Sequence, residues 1–188
     1  LGEPADPAAT LEVALDGRVL DQWTLSATER NSLRFLDVPA MPPREGEGAY
    51  AVLTISSRSV RGDRYRAPVA VRQFDAQDAE RPIYGFDEGW HELEYDTTTG
   101  RLWRWSSDRS VLRVHGKPQD VRLTLRGESP LRYFDTPPAV SVIAAGQTVA
   151  QFRPSDDFEW SATISGDVVA NAGGAITIAM DRAYIPSV

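Results

Sequence analysis

Between Gly85 and Asp135 the chain reads GFDEGWHELEYDTTTGRLWRWSSDRSVLRVHGKPQDVRLTLRGESPLRYFD, and the side chains able to do chemistry are concentrated there. Three of the five Trp and both His fall in this stretch. Trp90, Trp103, Trp105 and Tyr133 have the faces needed to stack on pyranose rings, because the apolar side of a sugar packs on an aromatic plane. Trp103 and Trp105 share one face of a strand, with Leu102 and Arg104 on the other. If their face is the core, both are structural, which is the commoner fate of a strand Trp. Arg104, with Arg109 and Arg132, has the forked donor geometry that holds a carboxylate or phosphate. Paired with Glu92 or Glu128 it becomes an internal salt bridge instead, the simpler expectation. The residues singled out as a candidate binding set are Trp90, Glu92, Arg104, Glu128, Arg132 and Tyr133.

Catalytic arrangements are weaker. Glu92 and Glu94 lie on one strand face, and with Glu128 or Asp135 either could form a glycosidase pair, which needs two carboxylates roughly 5–10 Å apart. Solvent-facing or arginine-paired carboxylates explain them more simply. His91 and His115 lie in different strands with no supporting motif. Asp156, Asp157 and Asp181 supply oxygens for Ca²⁺ but lack EF-hand spacing, and an Asx-type turn accounts for them. Ser129 has no Gly-x-Ser-x-Gly elbow. Gly127-Glu128-Ser129-Pro130 reads as a shaped turn tied down by Glu128. No catalytic residue, metal site or cofactor is expected.

The elements positioning these residues are short strands. Leu11–Leu15 and Val19–Leu25 alternate on either side of Asp16-Gly17, a strong hairpin signal. Leu33–Val38 and Ala49–Ser56 read as a third and a fourth strand, separated by a Pro-rich loop, Pro39–Glu47. A charged connection, Arg58–Arg66, precedes a fifth strand at Val69–Phe74. Asp75–Pro82 is polar and marks a boundary. His91–Tyr95 and Leu102–Ser106 flank the turn-forming Asp96–Gly100. Val111–His115 and Val121–Leu125 follow, then Val140–Ala144, Thr148–Phe152, Phe158–Ile164 and Ala175–Met180. Helical periodicity is confined to about one turn at Ser26–Asn31. Leu11–Leu25 and Val140–Arg153 are alike (strand, small-Gly turn, strand ending in an aromatic), which is either a repeat of two related β-modules or shared strand–turn grammar.

About thirteen short strands with turn signals every roughly 8–12 residues predict an all-β fold: an antiparallel β-sandwich, jelly-roll or immunoglobulin-like, in two packed modules. The expected limits are a linker or frayed terminus at 1–9, an N-terminal module at 10–78 and a C-terminal sandwich at 79–188. A chain of 188 residues buries enough surface to need no staple, in keeping with its lack of Cys. Its net charge of −7 argues against a nucleic-acid partner. No apolar run approaches the roughly 20 residues of a membrane span, and no signal-peptide pattern is present. The chain begins at Leu1, not Met, and so reads as a processed or excised piece, from which any membrane or targeting segment can have been cut away.

The order GWHELEY, LWRW, LRGESPLRYFD, SDDFEW and a terminal aromatic-Ile-Pro, with the paired strands around Asp16-Gly17 and Val71–Gln77, resembles the soluble tail domains of bacterial integral-membrane glycosyltransferases. These are of the dolichyl-phosphate-mannose-protein mannosyltransferase-like group. GESPLRYFD is the most distinctive of these segments, and the resemblance covers nearly the whole chain. It implies that catalysis, with its acidic residues and lipid-phosphate sugar donor, belongs to a membrane part not contained here. This domain would then sit on the periplasmic or extracytoplasmic side as a non-catalytic partner of that membrane-embedded part. The expected ligand is a glycan, a lipid-linked sugar or an acceptor. The alternatives are a free-standing carbohydrate-binding module, or a structural or adhesive domain with a protein partner.

Overall fold

The computed structural model describes residues 8–26, 31–39, 50–60, 69–129 and 131–183. The chain divides into two compact units, Leu1–Val71 and Arg72–Val188. Its described residues form twelve strands, one short α-helix and one 3₁₀ turn, with every paired strand antiparallel. The fold is all-β and sandwich-like, as expected.

In the first unit, β1 (Ala9–Leu15), β2 (Arg18–Leu25) and β3 (Leu53–Ser59) form a sheet of order β2-β1-β3. Asp16 and Gly17 have φ of 48° and 80°, the two positive values that a type I′ hairpin requires. The Asp16 carboxylate also accepts from the Val52 amide at 3.0 Å, fixing the entry to β3. Ala9 and Leu11 are buried beneath Trp23 and Leu25.

Two expected strands are not strands. Residues 31–39 are irregular, although Leu33 and Phe35 are half-buried. Arg34 anchors the segment through its guanidinium, which donates to Asp21 at 2.6 and 2.8 Å and lies 5.2 Å from the Trp23 ring centre. Period-two alternation records one-sided burial, and an extended segment held by side chains satisfies it without a ladder. Residues 69–78 likewise carry no strand. Here the Gln73 carboxamide donates to the Tyr84 carbonyl at 2.9 Å and accepts from the Phe86 amide at 3.2 Å, one side chain standing in for a neighbouring strand. The helical turn expected at Ser26–Asn31 lies largely outside the described residues.

The second unit contains β4 (Ile83–Phe86), β5 (Trp90–Tyr95), β6 (Leu102–Ser106), β7 (Arg109–His115), β8 (Val121–Gly127), the 3₁₀ turn Leu131–Tyr133, β9 (Val140–Ala144), β10 (Gln147–Phe152), β11 (Phe158–Ile164), α1 (Gly166–Asn171) and β12 (Ala175–Met180). A five-stranded sheet of order β10-β9-β12-β7-β4 accompanies two pairs, β11-β8 and β5-β6. Leu112, Val140, Val142, Ile176 and Ile178 of the large sheet meet Leu123 and Ile164 of the β8–β11 pair and Val169 of α1 in one core. Consecutive strands β7 and β8 therefore belong to different sheets.

The helix α1 was not legible in the sequence, because six residues are too few to show a period. Ser165 caps it, accepting from the Val168 amide. Gly166 is required there, since a Cβ would lie 2.8 Å from the Gln119 backbone.

The two similar segments have matching geometry. Ala145-Gly146 repeats the positive φ pair, 50° and 74°. In both hairpins two residue pairs follow the turn before one extra residue, Leu20 or Val149, interrupts the ladder. Trp23 pairs with Leu11 as Phe152 pairs with Val140, and in each case a later strand, β3 or β12, joins the first on its other side.

Candidate functional site

The β5–β6 hairpin carries most of the chemistry-bearing residues and is rooted in the core of the second unit. Gly89 turns the chain at φ 80°, and a Cβ there would lie 2.0 Å from the Arg109 carbonyl oxygen. The Gly89 carbonyl accepts from the Ser107 amide and from the hydroxyl of fully buried Ser110, both at 2.8 Å. At the far end, Asp96 organises the loop. Its carboxylate accepts from the Thr98 amide at 2.8 Å and the Thr99 hydroxyl at 2.7 Å, while its carbonyl accepts from the Gly100 amide. The Thr99 hydroxyl, then the Thr98 amide, hold the Asp96 carboxyl below its ordinary 3.8. Arg101, next to this loop, bridges to Glu128 at 2.6 Å, and Glu128 raises the Arg101 pKa by hydrogen bond and charge.

The register assigns the two faces of the hairpin. Trp90 opposes Ser106, Leu93 opposes Arg104 and Tyr95 opposes Leu102, so these residues share the inner face. Glu94 opposes Trp103, and a bulge sets His91 and Glu92 against Trp105, so these form the outer face.

On the inner face Trp90 packs against the core and edge-on to Phe86, ring centres 5.1 Å apart, and its indole N–H donates to the Val111 carbonyl at 2.9 Å. Arg104 lies 4.6 Å above the Phe86 ring and donates to the His91 carbonyl at 3.1 Å. It braces the hairpin against the sheet edge, and its partner is a ring and a carbonyl rather than Glu92 or Glu128.

The six candidate residues form separate pairings. Trp90 and Arg104 meet on Phe86. Glu92 binds Arg72 at 2.5 Å, and Glu128 binds Arg101. Arg132 lies 4.8 Å from the centre of the Tyr133 ring. Both carboxylates are thus arginine-paired. Among the described residues no group of three or more His, Cys, Asp or Glu is placed to hold a metal ion. Asp181 accepts from the Ala139 amide at 2.8 Å, which is a turn-fixing role. A cavity of about 210 Å³ lies elsewhere in the unit, lined by Val114, His115, Lys117, Val121 and Val169 among others, and none of the six candidates lines it.

Trp103 and Trp105, named from the sequence as possible stacking residues but expected to be core, are the aromatic pair that the structure leaves exposed. Trp103 is 36% and Trp105 50% exposed on the outer face, so that face is not the core. Their alternation with Leu102 and Arg104 signals a strand but not which side is covered. Among the described residues the hairpin pairs only with itself, and Leu93 and Leu102 on the inner face are exposed as well.

Neither a family model, nor a curated protein, nor a solved structure matches this chain.

Proposed function

We propose that this chain is a non-catalytic, extracytoplasmic β-sandwich domain of a membrane glycosyltransferase-like protein. It holds a glycan, a lipid-linked sugar or a glycosylated acceptor on the outer face of the β5–β6 hairpin. The resemblance of GWHELEY, LWRW and GESPLRYFD to such tail domains supports the parentage and the location.

The observation that carries the binding role is the exposed pair Trp103 and Trp105. Two residues apart on one strand face, they are spaced roughly 7 Å along the chain, so successive rings can stack on successive sugars. Exposed stacking surface of this kind contributes to binding rather than folding. Glu94, Glu92 and His91 flank the pair with hydrogen-bonding groups for sugar hydroxyls.

Titration with oligosaccharides, followed by tryptophan fluorescence and calorimetry, tests this. Trp103→Ala and Trp105→Ala are each expected to weaken binding at least about ten-fold, the loss of one stacking contact of about 1.5 kcal/mol. Stability should change by less than about 1 kcal/mol. Unchanged affinity in both variants would refute the platform. Failure of the wild-type chain to bind any glycan would favour the protein-interaction alternative.

A further inference from the structure

We infer that the hairpin's outer face selects amino sugars, that is, glycan residues carrying a free, protonated amine. This inference rests on the glycan-platform reading above and names its ligand class.

Stacking a pyranose on an indole turns the ring's C–H face to the protein and its equatorial substituents sideways. The groups beside the rings therefore decide which substituents are accepted. Glu94 is the direct cross-strand partner of Trp103, which places their Cβ atoms about 5 Å apart. Glu92 and His91 stand opposite Trp105. Glu92 is already engaged by Arg72. His91 lies 3.4 Å from the Ser107 hydroxyl through Nε2. Glu94 is exposed and makes no ion pair or hydrogen bond among the described residues, so its charge is the uncompensated one on this face.

An ionised carboxylate only accepts hydrogen bonds. A sugar hydroxyl satisfies it weakly, whereas an ammonium gives a charge-assisted bond. The same ammonium is attracted to the π-faces of Trp103 and Trp105. N-acetylation removes both gains. A uronic acid sets carboxylate against carboxylate on a chain of net charge −7. The preference is modest because the groups are wet, roughly two- to five-fold in affinity, and salt screens it.

The test titrates the full chain with glucosamine, N-acetylglucosamine and galacturonic acid tetramers, at low and at high salt. The glucosamine tetramer is expected to bind tightest and the uronate weakest, with the difference shrinking in high salt. Glu94→Gln should reduce the amine preference while leaving affinity for the acetylated tetramer unchanged. Equal binding of amine and acetylated tetramers, or an amine preference that Glu94→Gln leaves undiminished, overturns the inference and leaves the platform standing. If no tetramer binds, or if Trp103→Ala and Trp105→Ala both leave all affinities unchanged, the platform falls and the amine selectivity falls with it. Thermal unfolding of each variant confirms that it is folded.

Discussion

At the residue scale, the three Trp of the β5–β6 hairpin divide by what lies beneath them. Trp90 has Phe86 and the core against its ring and a carbonyl against its N–H. Trp103 and Trp105 face outward. Removing Trp90 leaves a cavity at the hairpin's root and strands the Val111 carbonyl bond. Trp90→Ala is therefore expected to destabilise the chain by about 2–4 kcal/mol, the range for a large aromatic only partly buried. Urea denaturation reads this as a lower midpoint at unchanged slope. A loss below about 1 kcal/mol would show that the indole contributes little to the core. The sequence offered all three as stacking residues, and only this division separates them. All three sit in strands among apolar residues, and only the layer opposite each ring tells them apart.

At the element scale, the places that hold the hairpin include the Gly89–Ser110 root, Arg104 on Phe86, and the Arg101–Glu128 bridge beside the loop. The loop itself depends on an ionised Asp96. Its folded pKa lies below the unfolded one, so the stabilisation is complete above about 4. It is lost as pH falls through the depressed folded value. Backbone amides of Thr98, Thr99 and Gly100 should accordingly lose order below pH about 4, and Asp96→Asn should remove that pH dependence. Amide chemical shifts followed through an acid titration check this, and an unmoved loop would refute it.

The strap at 69–78 acts on a neighbouring element. Gln73 occupies the outer edge of β4 with its carboxamide, and an open sheet edge is a template for another chain. Gln73→Ala should expose that edge and cause concentration-dependent association, visible in sedimentation velocity. A variant that stays monomeric at high concentration would show that the side chain is not what guards the edge.

At the scale of the whole molecule, the second unit holds its own core, built from the large sheet, the β8–β11 pair and α1. The Arg72–Glu92 bridge and the Gln73 clamp lie inside the same unit. A fragment spanning 72–188 should therefore fold alone and unfold cooperatively, with a stability of about 5 kcal/mol or more. Circular dichroism in urea decides this, and a broad, non-cooperative transition would contradict it. The matched hairpins of the two units, with the same turn, the same extra residue and the same aromatic position, show one strand–turn solution used twice. In the second unit β12 goes on to pair with β7, which makes that solution part of a five-stranded sheet.

The sequence alone determined what is local. Alternation and turn chemistry located β1, β2 and β5 to β12, the Asp16-Gly17 reversal and the Asp96–Gly100 loop, because a strand's period and a turn's φ requirements belong to the residues themselves. Tertiary structure decided what depends on distant partners. Residues 33–38 and 69–74 alternate like strands yet are not strands. The four-residue β4 becomes a strand only by lying beside β7. β7 and β8, adjacent in the chain, part into different sheets. Arg104 settles on an aromatic ring instead of a carboxylate, and the Trp103–Trp105 face stays open. Alternation fixes that a strand has two faces, but covering one of them is done by another layer of the fold, whose position no single strand encodes.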